Sequence, residues 1–258
     1  MKNKTSVPEV STAVKFFETL EVVSNATPHI GISLSEISRH LHVSKSTVLR
    51  YLQTMERLGV VERNERDNYK LGWKILNLAS CYLNNMDLPN LAEPYMRELA
   101  AKSQETIFLA VPSDDWVMYI SKVDSPQSIQ MIARIGTRNP MYCTALGKSI
   151  LAFLPKEKID EVIQLGLHPR TANTITNPDD LKKNLEEIRQ KGYSIDNIEN
   201  EEGVRCVGAP IFNYSQNVIG AVSLSGPATR ITPERFFELG SIVKEIGLAI
   251  SRRMGYPK

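Results

Sequence analysis

The sequence predicts an α+β chain: a winged helix-turn-helix module, then a larger domain with a largely antiparallel sheet. Three observations predict it. Two helices, each with its own capping residue, meet at a short turn within residues 33–58. A short polar hairpin follows them. Beyond residue 104 the apolar period shifts toward strands, and the chain closes on an amphipathic helix.

The elements follow in order. Residues 8–24 place Val14, Phe17, Leu20 and Val23 at helical spacing. NATPHIG (25–31) breaks that helix. SLSE (33–36) is a capping box, with Ser33 as N-cap and Glu36 three residues on. The short helix ends near Leu41, HVS (42–44) turns, and Ser44 caps a helix that stops at Gly59. VVERNERDNYKLG alternates around a polar turn, as a two-stranded wing does. Residues 1–72 form this module. WKILNLASCYL opens a linker helix within 73–90, and 91–258 form the second domain. That domain opens with a helix over 91–103. Strands are expected at TIFLAV (106–111), WVMYISKV (116–123) and SIQMIARI (128–135), and then GTRNPMYC as a loop. Helices fit 145–153, 156–165 and 178–191. Two more strands, 204–213 and 217–225, flank NYSQ, and a final helix covers 232–253.

Charge narrows the partners. The net charge is only +2, yet residues 1–80 carry 11 Lys+Arg against 8 Asp+Glu and the rest of the chain carries 20 against 21. The positive excess sits in the small module, where a phosphate-facing surface is expected. The apolar runs are too short to span a bilayer, and MKNKTSVPEVS lacks a signal peptide's apolar core, so a cytoplasmic protein without a membrane partner is expected. Cys81, Cys143 and Cys206 are too few and scattered for a disulfide framework.

In a helix-turn-helix the second helix enters the major groove and its first residues meet base edges. Here Val48, Leu52 and Met55 share one face. Ser44, Lys45, Ser46, Thr47, Arg50 and Tyr51 lie at the start or on the other face, as hydroxyl and cationic ligands for bases and phosphates. Arg63, Arg66 and Lys70 of the wing are placed to hold phosphates. The blander alternative is a solvated helical hairpin. The order of cap, turn, basic helix and wing favours double-stranded DNA.

Other motifs fall short. ALGKS (145–149) ends like a phosphate-binding loop, but Tyr142 stands where that loop needs glycine. What remains is Thr144 as a cap, with the outward amides of Ala145 and Leu146 offering a seat for an anion. His29, His40, His42 and His168 lack metal-ligand spacing, so no metal or other cofactor is expected. Cys143 and Cys206 read as structural thiols. GYSIDNIENEEGVRCVGAPIFN (192–213) gathers carboxylates, an arginine and a thiol. That crowd fits a catalytic site, a metal site, a binding pocket or a plain acidic loop. Arg205 and Cys206 alternate on a strand and must face opposite ways.

Over residues 8–254 the chain resembles the IclR-type transcriptional regulators. The likeness rests on LSEISRHLHVSKSTVLRYLQTMERLGVVER, YKLGWKILNLA, MYCTALGKSILAFLP and SLSGPATRIT. Its most specific part is the spaced signature Gly192, Asp196, Glu199, Cys206, Val207, Gly208, Ile211, Phe212 and Asn213, every position of which fits. The resemblance implies a GAF-like effector-binding domain and no catalytic residue. It also implies a homodimer, possibly a tetramer. Its small-acid pocket corresponds here to the backbone of Ala145 and Leu146 and to Asp196, Cys206, Ser223 and Ser225. Met131, Met141 and Leu151 are candidates for an apolar wall. IARIGTRNPMYCTALGK and DNIENEEGVRCVGAPIF are similar to family members that respond to a 2-keto-3-deoxy sugar acid, which implies a small carboxylate or keto-sugar-acid effector such as 2-keto-3-deoxygluconate. The expected function is an operator-binding repressor released by that acid, with the linker helix transmitting the signal. Two rival readings are an enzyme acting on a keto acid through Cys206 or Asp196, and an activator without a ligand.

Overall fold

Ser33 and Glu36 satisfy each other's backbone as their spacing predicts: Ser33 Oγ accepts from the Glu36 amide, and the Glu36 carboxylate accepts from Ser33 N–H at 2.9 Å. The computed structural model containing them describes residues 10–27, 29–84 and 87–257. The polar start of the chain, residues 8–9 of the expected first helix and residues 85–86 of the expected linker lie outside the described residues. The chain divides into two compact units, Met1–Met86 and Asp87–Lys258.

In the first unit α1 (Ser11–Ser24), α2 (Leu34–Leu41) and α3 (Lys45–Arg57) precede β1 (Val61–Arg63), β2 (Tyr69–Leu71) and α4 (Trp73–Asn84). His42 takes φ +51, the left-handed turn that reverses the chain between α2 and α3. Val23, Ile37, Val48, Leu52, Met55, Val61 and Tyr69 make one buried core. Each fully buried aliphatic there contributes about 1.5–3 kcal/mol relative to exposure.

The second unit begins with α5 (Leu88–Ser103), three residues earlier than expected. Pro89 sits in its first turn, where an amide donor is not needed. The sheet comprises β3 (Thr106–Ser113), β4 (Trp116–Val123), β5 (Arg138–Pro140), β6 (Ser194–Asn197), β7 (Val204–Phe212) and β8 (Val218–Pro227), in the order β5-β4-β3-β8-β7-β6, antiparallel throughout. Three further helices lie between β5 and β6: α6 (Ala145–Leu151), α7 (Lys156–Gln164) and α8 (Pro178–Lys191). The chain closes on α9 (Phe236–Arg253) after a single 3-10 turn. Two glycines show the layering. A Cβ on Gly247 of α9 would lie 2.9 Å from Pro210 O and 3.1 Å from the Ala209 side chain. A Cβ on Gly208 would lie 3.0 Å from the Ala145 backbone of α6. Helices α5 and α9 therefore cover one face of the sheet and α6 covers the other.

Two expectations are corrected. SIQMIARI forms no strand: residues 128–135 run as bends and irregular backbone despite their β-propensity. β5, from within the expected loop GTRNPMYC, pairs with Trp116–Met118 of β4, and Ile129 O accepts from Arg230 at 2.9 Å. Ser194–Asn197 is a strand to which the sequence reading assigned no element. Its inward residues are Ser194 and Asp196 and its apolar Ile195 is only half-buried, so the usual hydrophobic alternation is inverted.

Candidate functional site

Helix α3 presents the face the spacing predicts. Ser44, Lys45, Ser46 and Arg50 are exposed, Thr47 and Tyr51 are half-buried, and Val48, Leu52 and Met55 face the core. Ser44 is committed to its cap, with Oγ 2.9 Å from Thr47 Oγ1 and accepting from the Thr47 amide at 3.3 Å. On the wing Arg63 reaches Tyr69 Oη at 2.8 Å and Asp67 at 3.3 Å, and Lys70 pairs with Glu62 at 2.9 Å. These are exposed pairs of small worth and open easily to a phosphate. Arg66 at the turn has no ion-pair partner among the described residues.

The second unit encloses a cavity of about 300 Å³ between the sheet and the start of α6. Register builds its floor. Asp196 on β6, Cys206 on β7, Ser225 on β8 and Thr106 on β3 are successive cross-strand partners, so their side chains share one face. The next row is Ser194, Gly208, Ser223 and Phe108. Gly208 is the point where α6 comes closest, since a side chain there would meet Ala145. Thr144 fixes the helix start: Oγ1 accepts from the Gly147 amide at 3.0 Å and donates to Pro140 O at 2.8 Å. Ser194 Oγ donates to Ala145 O at 2.6 Å.

Ala145, Leu146, Asp196, Cys206, Ser223 and Ser225 all line this cavity. Met131 does too, in the irregular segment that sequence reading took for a strand, together with Ile132, Ala133 and the exposed Arg134. Met141 and Leu151 do not; both are fully buried in the core beside the cavity. Sequence reading missed Phe108 and Tyr119, stacked at 4.8 Å on facing strands, and Asn139 and Asn200. Strand alternation opposite Ser223 was the signal for Phe108.

It also missed a buried ion pair. Lys148 Nζ lies 2.6 Å from both oxygens of Glu199, with side-chain exposures of 0% and 8%. The signal was a lysine inside the otherwise small and apolar ALGKSIL. Glu199 stands in the spaced signature without an assigned partner. Its Oε1 does accept from the Asn197 amide, at 3.3 Å, but Lys148 is its main partner. Glu201 and Glu202 are exposed, as a solvated turn requires, and Glu201 also reaches the cavity rim. Arg205 turns to the opposite face, over the Phe236 ring at 6.0 Å.

Electrostatics here favour binding over covalent chemistry. Burial, then the Glu199 charge, pushes the Asp196 carboxyl up to about 7, although Glu199 N–H donates to its Oδ1 at 2.7 Å and Asn200 N–H at 3.4 Å. At neutral pH Asp196 therefore exists in both forms and can donate as well as accept. Burial holds the Cys206 thiol well above its ordinary value and pushes Cys143 up to about 12, so neither supplies a ready thiolate.

Known proteins share both halves of this architecture. The model of the IclR helix-turn-helix domain matches residues 12–65, and that of the bacterial transcriptional regulator IclR C-terminal domain matches residues 80–252. The chain is 37% identical over 249 residues to the HTH-type transcriptional regulator KdgR of Escherichia coli K12, covering 96% of this chain and 94% of that one. The crystal structure of the Thermotoga maritima IclR is 36% identical, with a TM-score of 0.63 over 96% of this chain and 100% of that one. The Agobacterium tumefaciens repressor BlcR is 25% identical, with a TM-score of 0.83 over 96% and 99%. These relatives are regulators rather than enzymes, which removes the keto-acid enzyme reading. A helix-turn-helix with a basic helix face and a C-terminal domain with a pocket between sheet and α6 are thus one inheritance: the chain belongs to the IclR family of transcriptional regulators.

Proposed function

We propose that this regulator is a repressor whose grip on operator DNA is released by a small carboxylic acid of the 2-keto-3-deoxygluconate class. The observation that carries the reading is the floor row Asp196–Cys206–Ser225 beneath the opening amides of α6, all on one cavity. The acid's carboxylate accepts from the Ala145 and Leu146 amides and from the Ser223 and Ser225 hydroxyls. Asp196 meets a keto or hydroxyl oxygen, and Phe108, Tyr119 and Met131 cover the carbon chain. A cavity near the lower end of the usual range, about 300–1,000 Å³, suits a small acid.

On the DNA side Lys45, Ser46, Thr47, Arg50 and Tyr51 read one major groove, with Ser44 holding the helix start. Arg63, Arg66 and Lys70 grip the flanking phosphates. Trp73 and Leu76 of α4, one turn apart, are 66% and 74% exposed, an apolar patch that supports pairing of two copies on a two-fold operator, with a tetramer as the larger assembly. No helix among the described residues is long and apolar enough to cross a membrane, in keeping with a protein acting beside cytoplasmic DNA. Release requires that the acid favour one arrangement of the reading heads over the other, and α4 is the element proposed to transmit that preference.

Titrating operator binding with 2-keto-3-deoxygluconate tests this. Lost affinity and lost footprint are expected, and a titration that moves neither sinks the effector assignment. Arg50→Ala separately tests the reading helix. It should weaken operator binding by about 1–3 kcal/mol and relax sequence preference if the guanidinium grips a base.

A further inference from the structure

The turn that follows β6 carries an uncommon backbone. Ile198 takes φ +62, a left-handed conformation that a β-branched residue strongly disfavours. Neighbouring structure must therefore hold it. Four consecutive carbonyls of that turn are held from a single external segment. Asn173 Nδ2 donates to Asn197 O at 3.0 Å, and Thr171 Oγ1 to Ile198 O at 2.5 Å. Thr174 Oγ1 donates to Glu199 O at 2.6 Å, and Arg170 Nε to Asn200 O at 3.1 Å. The donors all come from RTANT, residues 170–174, which no motif singles out.

Peptide geometry carries the consequence inward. In a trans peptide the carbonyl and the next residue's N–H lie in one plane and point opposite ways. The Ile198 carbonyl shares its plane with the Glu199 N–H, which donates to Asp196 Oδ1 at 2.7 Å. The Glu199 carbonyl shares its plane with the Asn200 N–H, 3.4 Å from the same oxygen. Fixing the carbonyls from outside thus aims the amides at Asp196 inside the cavity.

We propose that Arg170–Thr174 is a positioning clamp for the effector pocket: by holding the carbonyls of Asn197–Asn200 it keeps the strained turn in the form that orients Asp196 and Asn200 toward the ligand. The proposal rests on the effector reading given above for its ligand, but not for its geometry. Arg170, Thr171, Asn173 and Thr174 do not line the cavity; they act through the turn.

The test uses the full chain with Thr171→Val, Thr171→Ser and the double variant Thr171→Val/Ile198→Gly. Glycine adopts the left-handed turn without strain, so it removes the need for the clamp. The first readout is the carboxyl titration of Asp196 by carbon-13 NMR without ligand. Thr171→Val should raise its midpoint above the parent's, near about 7, as the amide donors drift. Thr171→Ser should titrate as the parent does, and the double variant should return toward it. The second readout is calorimetric affinity for 2-keto-3-deoxygluconate: about tenfold weaker for Thr171→Val, with most of it regained in the double variant. A Thr171→Val protein that titrates as the parent, or a glycine that restores nothing, overturns the clamp. If the parent itself does not bind the acid, the effector reading fails and the titration alone decides the clamp.

Discussion

Lys148→Met puts the buried ion pair to a quantitative test. Methionine keeps the unbranched stem and most of the volume, so repacking costs less than about 1.5 kcal/mol. The charge is the larger matter. Lys148 Nζ sits 2.6 Å from both Glu199 oxygens, and its side chain is wholly buried while that of Glu199 is 8% exposed. Removing one partner of such a pair leaves an uncompensated buried charge and costs about 3–5 kcal/mol. Glu199 keeps the Asn197 amide at 3.3 Å and a sliver of solvent, which places the expected loss at the lower end, about 3 kcal/mol. For a unit of this size that lowers the melting temperature by about 6–12 °C. The chain has two tryptophans, so Trp73→Phe leaves Trp116 as the fluorescent reporter of the second unit in urea titrations. Lys148→Met/Glu199→Leu should recover most of the loss, because a hydrophobic replacement of both partners leaves no orphaned charge. A single variant that loses under about 1 kcal/mol, or a double variant worse than the single one, refutes the pairing as the source of stability.

The remaining predictions concern the pocket and the DNA face. Because burial raises Asp196 to about 7 against roughly 3.9 in the unfolded chain, the folded state binds the extra proton between those values. Stability contributed by this group therefore falls as pH rises from about 4 to about 7, by a few kcal/mol in all, and Asp196→Asn should flatten that slope in pH-dependent urea titrations. Gly208→Ala sets a methyl 3.0 Å from the Ala145 backbone, so α6 must shift. A stability loss of about 1–3 kcal/mol and weaker acid binding by calorimetry are expected. Arg66→Ala should lower operator affinity alike for all sequences and reduce the salt slope by about one, as a phosphate contact does.

Local chemistry made most of the fold legible. Ser33, Glu36, Ser44, Thr144 and Gly192 mark helix ends whatever the tertiary context, and the helices stand where those residues put them. The mistaken strand at 128–135 and the unassigned strand at 194–197 were decided by strand pairing, which local pattern does not carry. Ile129, Met131, Ile132 and Ile135 have strand propensity, yet β4 pairs instead with Arg138–Pro140, while Ser194 and Asp196 gain an edge on β7 with polar side chains turned inward. The pocket divides in the same way. Ser223 and Ser225 betray themselves by a two-residue period, and Asp196 and Cys206 by a spaced signature. Lys148 and Glu199 are 51 residues apart, and only the folded chain brings them together. The clamp at 170–174 is equally silent, since its donors meet backbone carbonyls, which carry no residue identity.

The floor of the cavity has a bearing on the life of the chain. Its rows join residues 106–108, 194–196, 206–208 and 223–225, so the proposed binding surface exists only after strands more than a hundred residues apart have paired. Such pairing comes late, because long loops must close first. No proteolytic fragment short of the whole sheet retains the site. An acid that binds there recognises finished molecules alone, and at a hundred times its dissociation constant it adds about 2.7 kcal/mol to their resistance to unfolding. Where proteases feed on transiently opened chains, that is about a hundredfold in the open population. The metabolite that signals through this regulator would then also lengthen its survival.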